Sequence, residues 1–166
     1  VNILRLLKSY FLFFFFFANS QAIATSFKVE LMQGYHALGT PPTRGSTAKD
    51  TIKAALYTTS ASIGAGTTAY SATNEASGSG YSAGGATVTN GTEPSSSGTT
   101  GFWTPSAAVS WATVTFSNVD CVLFYNSSQG NRAICGNTFG STSITAGTFT
   151  INMPANDATN ALIRLA

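Results

Sequence analysis

"DCVLFYN", residues 120–126, followed by "SSQGNRAIC", residues 127–135, is the stretch on which the fold turns. Cys121 to Tyr125 is apolar at consecutive positions, so both faces are apolar and the run reads as a central strand. Ser127 to Asn131 is a turn cluster that sends the chain back. If the hairpin folds symmetrically about Ser128, Cys121 and Cys135 stand opposite each other. A cross-strand disulfide is then one reading and two buried thiols the other, and free thiols are the expectation.

Working outward, the apolar period is two, the strand period. In "TIKAALYTT", residues 51–59, Ile52, Ala54 and Leu56 share one face, Lys53 and Tyr57 the other. In "GTFTINMP", residues 147–154, Phe149, Ile151 and Met153 alternate with threonine and asparagine until Pro154 stops the strand. "AVSWATVTFSN", residues 108–118, holds Val109 and Trp111 in one phase and Val114 and Phe116 in the other, so a bulge near Ala112 is expected. Turn clusters at residues 77–80, 90–91, 95–101, 127–131 and 146–147 separate these runs. The fold class expected is mainly β, an antiparallel β-sandwich or jelly-roll-like domain spanning residues 50–166.

One short N-terminal helix precedes it. In "SFKVELMQGYHAL", residues 26–38, Phe27, Leu31 and Tyr35 recur every fourth position. Ser26 is the expected cap, and Gly39 with Pro41-Pro42 the expected stop. Residues 24–49 are therefore read as helix and loop. Residues 1–23 form a hydrophobic leader, with Arg5 and Lys8 before an uncharged run and small residues around Ser20-Gln21-Ala22. That order is signal-like. A chain starting with Val equally fits upstream sequence translated from a misplaced start. About ten apolar residues are too few for a bilayer, which takes about 20, so no stable membrane insertion is expected.

Only 8% of the 166 residues are charged, against about 25% in ordinary soluble domains. The formal charge is +2, and outside the leader six cations meet six acids. That balance leaves no basic stripe, so nucleic acid is not an expected partner.

Candidate chemistry begins with Gly80-Tyr81-Ser82-Ala83-Gly84, which spells G-x-S-x-G, the nucleophile-elbow pattern of serine hydrolases. An elbow needs a buried strand before it, a helix after it, and an acid and a histidine later in the chain. "TNEASGSG", residues 73–80, is a turn cluster, "ATVTN", residues 86–90, reads as a strand, and the only histidine, His36, precedes Ser82. The overlapping G-x-G-x-x-A pattern starting at Gly78 lacks the strand-then-helix frame as well. Glu75, Asp120 and the other acids stand singly and read as solvated or turn-capping groups. Asn156 and Asp157 read as a turn cap before the last strand. His36 reads as a packing or surface residue. The sequons at Asn90 and Asn126 are matches a Thr- and Ser-rich chain produces by chance. Trp103, Trp111, Tyr57, Tyr70, Tyr81 and Tyr125 read as core or subunit contacts rather than a sugar-binding face. No catalytic, cofactor-binding or metal-binding residue is assigned.

"TAYSATNEASGSGYSAGG", residues 68–85, and "PANDATNALIRLA", residues 154–166, resemble a group of small virion proteins of tailed bacteriophages, common in marine and environmental phage genomes. The likeness runs from about Ser26 to Ala166. It implies a non-catalytic structural component, capsid-decorating or fibre- or tail-associated, assembled in the host cytoplasm. Its partners would be capsid or tail proteins and copies of itself, in a homo-oligomer expected to be three-fold. The rival is a secreted carbohydrate-binding or adhesive β-domain.

Overall fold

The structure, a computed structural model, describes residues 19–39 and 48–166. The apolar run at Cys121 is buried at every position to Asn126. It forms the end of β6 (Val109–Asn126), which pairs antiparallel with β7 (Arg132–Ile151) across a 3-10 turn at Ser127–Gln129. The flanking strands explain that burial. β2 (Ile52–Thr58) pairs with the other edge of β6, β3 (Ala86–Thr87) with β2, and β1 (Ala22–Ile23) with β7. β4 (Ser95–Ser97), β5 (Thr100–Trp103) and β8 (Ile163–Leu165) make a second antiparallel sheet, in the order β4-β5-β8. Trp103 and Ile163 of this smaller sheet are buried in the same apolar core as β2 and β6. Two antiparallel sheets and one short helix, α1 (Thr25–Met32), make the expected β-sandwich.

The β6–β7 ribbon is bent. Phe139 and Phe149 are ten residues apart on β7, about 33 Å on a straight strand, yet their ring centroids are 5.2 Å apart. Register shifts make the bend, falling between Trp111 and Val114, Val114 and Phe116, Phe116 and Val119, and Val119 and Cys121. Thr113, Asn118, Gly140 and Ala146 take positive φ at these places. Each extra residue adds local twist and re-aims the strand beyond it. Val109, Trp111, Val114 and Phe116 are thereby all buried despite their two phases, as the bulge near Ala112 required. Phe116 and Trp111 meet Phe149 inside the bend at 5.4 and 6.0 Å.

Several expectations need correcting. α1 stops at Met32 rather than near Leu38, since Gly34 turns to φ 77 and the amides of Gly34 and Tyr35 close on Leu31 and Glu30. Tyr35 thus lies off the helix and Pro41-Pro42 outside the described residues. Ser26 is no cap: Ala24 holds that position without a side-chain bond, and Ser26 Oγ is buried without a partner. An eight-residue helix is marginal alone. It is held on its own domain by the fully buried Phe27 and by Ala24 N–H donating to Ile134 O. The described fold also begins inside the stretch set apart as leader. Asn19 accepts from Ile63 N and donates to Thr58 O and to Asp120 Oδ1, and Ala22–Ile23 pairs with Cys135 and Gly136. No helix among the described residues is long and apolar enough to cross a membrane.

The hairpin is centred one residue later than symmetry about Ser128 requires, since Asn126 pairs with Arg132. That offset and a bulge between Phe124 and Tyr125 together set Cys121 against Thr138 and Cys135 against Phe124. Both thiols are free and buried; burial pushes Cys121 up to about 12 and raises Cys135 too.

Candidate functional site: two closed polar networks

Groups of catalytic type gather in two places. The first joins α1, the segment after it, the entry to β2 and the tip of the β6–β7 hairpin. Glu30 Oε1 accepts from Arg132 NH1 at 2.7 Å, and its Oε2 lies 2.9 Å from His36 Nε2. Asn126 Nδ2 faces His36 Nδ1 at 3.0 Å and Asp50 Oδ2 at 2.6 Å. Asp50 Oδ2 also accepts from Ala37 N, and Oδ1 from Gln129 Nε2. The Asn126 amide can point only one way, because its Oδ1 accepts from Ser128 N and its NH2 meets a carboxylate. His36 Nδ1 is therefore an acceptor, and Nε2–H donates to Glu30. The imidazole side chain is 0% exposed and its ring lies 4.7 Å from that of Phe27. Arg132 stacks over Tyr35 at 4.2 Å, which closes the outer side.

Glu30 and Asp50 are thus buried members of a shared lattice, not the solvated single acids the sequence implied. His36 is the packing residue expected, though beyond the helix rather than on it. Together they link segments distant in the chain, and the bonds satisfy the buried carboxylates of Glu30 and Asp50 and the buried amide of Asn126.

The second network organises loop 59–85. Glu75 Oε1 accepts from Tyr81 OH and Gly84 N, both at 2.7 Å, and Oε2 from Tyr70 OH at 2.6 Å. Tyr81 OH in turn accepts from Leu56 N of β2. Tyr125 OH donates to Gly84 O, its ring stacked on Tyr70 at 4.8 Å, and Tyr57 OH donates to Ser71 O. Charge-assisted bonds to one carboxylate hold a loop far longer than the usual connection. The G-x-S-x-G stretch belongs here. Tyr81 is its anchor, while Ser82 is exposed in a turn closed by Gly85 N and Ser82 O, and β3 comes next. His36 is enclosed in the other network with both ring nitrogens bonded.

The tyrosines respond to this setting. Burial first, then the Glu75 carboxylate, pushes Tyr70 up to about 12; burial also raises Tyr57 and Tyr81. The unfolded chain ionises its tyrosines near pH 10. A group whose folded pKa is raised contributes stability that is complete below about pH 10 and lost as pH climbs toward about 12. The guanidinium midpoint should therefore fall between about pH 9 and 11, while tyrosinate absorbance of the native protein lags behind that of the denatured chain. Coincident titration curves would contradict this.

Among the remaining candidates, Asp157 caps its turn as expected, accepting from the amides of Thr159 and Asn160. The Asn160 side chain, then these amides, holds its carboxyl below the usual range. Asn90 and Asn126 are buried and bonded, so neither sequon is open in the folded chain. Trp103, Trp111, Tyr57 and Tyr125 are core, with Tyr70 and Tyr81 packed against it, as expected. Sequence reasoning missed Asn126 and Asp50 as partners, and their burial depends on pairing across 76 residues. Among the described residues no three His, Cys, Asp or Glu side chains converge as a metal site. Comparison with protein-family models, with curated proteins and with solved structures gives no match for this chain.

Proposed function

We propose that this chain is a non-catalytic structural protein of a bacteriophage virion, a β-domain that decorates or extends the particle. One observation carries the reading: the histidine and the acids gathered in the two networks are committed to tying segments of the fold together. His36, Glu30 and Asp50 tie the N-terminal segment to the hairpin tip, and Glu75 with Tyr81 ties loop 59–85 to β2. The stretch most like phage virion proteins, residues 68–85, is this second network, so that likeness lies in scaffolding rather than in a reaction centre. The nearly uncharged surface suits repeated contacts with sister chains and a capsid or tail protein. The rival secreted binder drew on the signal-like leader and on the aromatic residues, and four of the six named aromatics are buried.

Immunogold electron microscopy, with antibody raised against the chain, tests the proposal on particles induced from the producing host. Regular labelling of particles that co-sediments with them is the expected outcome. Protein found only in particle-free medium would overturn it, as would fluorophosphonate labelling that Ser82→Ala abolishes.

A further inference from the structure

We propose that the cleft between the two sheets binds an uncharged oligosaccharide, with the segment Asn152–Pro154 as its central ridge. The larger side of this cleft, about 850 Å³, lies between the outer strand β1 with the start of β7 and the outer strand β8 of the small sheet. The smaller side, about 400 Å³, lies across the ridge, against Thr92 and Thr104–Ala108. Either side accommodates sugar rings, and the first is large enough for several.

The chemistry of the walls selects the ligand class. Gln21, Asn137 and Asn152 line the larger side and Asn156 the smaller, so planar amides face both. An amide presents two donors and an acceptor in one plane, which matches adjacent hydroxyls of a sugar. Ile23, Met153, Pro154 and Leu162 supply apolar surface for the C–H faces of the rings. The lining side chains carry one charge, that of Arg164, and its guanidinium NH1 already donates to Thr159 O. A single exposed guanidinium among these amides offers no cluster of cations to clamp a phosphate or a carboxylate.

A second observation points to a missing partner. Asn156 Oδ1 is buried against solvent and has no hydrogen-bond partner. An unpaired buried acceptor costs about 1–3 kcal/mol, and because Asn156 lies in the wall of the smaller side, rotation of its amide toward the cleft would let a ligand hydroxyl remove that cost. The buried aromatics take no part, so recognition rests on amides rather than on stacking. Binding is read on the purified chain, so its failure and the failure of the particle reading are separate outcomes.

The full chain, immobilised and probed with neutral and sialylated oligosaccharides, followed by titration calorimetry with the best neutral hit, tests it. Neutral glycans should be retained and sialylated ones not. Asn152→Ala, at an exposed position, and Asn156→Leu should each weaken binding about tenfold, the equivalent of one hydrogen bond. Ser82→Ala should leave affinity unchanged, and melting curves of the Asn152 variant should match wild type. Absence of any neutral hit at millimolar concentration overturns the proposal. So does affinity within about twofold of wild type in both variants, or a preference for sialylated glycans.

Discussion

Asn126→Leu is expected to destabilise the fold by about 3–5 kcal/mol, a large share of the total stability of a domain this size. Leucine keeps the volume and removes every bond. Asp50 Oδ2 and His36 Nδ1 lose the amide donors, and Ser128 N loses its acceptor, at a position that is 0% exposed. A buried carboxylate deprived of a partner is the costliest of these losses. Asn126→Asp separates charge from packing. It sets a second carboxylate against Asp50, and the like charge raises the pKa of the pair. That variant should be weakest at neutral pH and recover as acid protonates one of the two. Denaturant midpoints at about pH 7 and pH 5 read both effects. A loss under about 1 kcal/mol for the leucine variant would mean that water reaches this network.

Gly85→Ala should cost about 2–4 kcal/mol and loosen β3 from β2. Gly85 has φ +68, a conformation that costs an L-residue about 1–2 kcal/mol. A Cβ there would also overlap Ala54 O and lie 2.7 Å from Ala55 Cα, both backbone atoms of a buried strand. Relief requires moving Gly85 away, which breaks the Ala54–Ala86 and Lys53–Thr87 pairs. Gly98→Ala is the control, because its φ is +57 but nothing lies within 4 Å of the added carbon. It should lose only the conformational part. Equal losses in the two variants would remove the close approach of Gly85 to β2 from the account.

Much of the strand content was legible because burial on one face of a strand imposes a period of two. Phe149 and Ile151 alternate half-buried with exposed neighbours, and the clash of phases at Trp111 and Val114 announced a bulge that is there. The long apolar run at Cys121 likewise announced a central strand, since only a strand covered on both faces stays apolar throughout. Helix length was less legible. Phe27, Leu31 and Tyr35 continue a helical period past the place where Gly34 turns the backbone, and periodicity carries no term for that turn. The G-x-S-x-G stretch was legible as a loop from its neighbours, but Tyr81 as its anchor was not.

By itself the sequence determined local choices: where strands run, where turns fall, and that one apolar face per strand must be covered. Tertiary structure decided everything that depends on partners. Whether Glu30, Asp50 and Glu75 are solvated or buried is set by Arg132, Asn126 and Tyr81, which pairing brings near. The facing of Cys121 depends on a one-residue difference in hairpin centre and on the bulge between Phe124 and Tyr125. The bend that sets Phe139 on Phe149 arises from bulges distributed over both strands of the ribbon. Periodicity is local because the pleat and the helix repeat within a few residues. Hydrogen-bond satisfaction is global because a buried polar group accepts any partner the fold delivers, however distant in the chain.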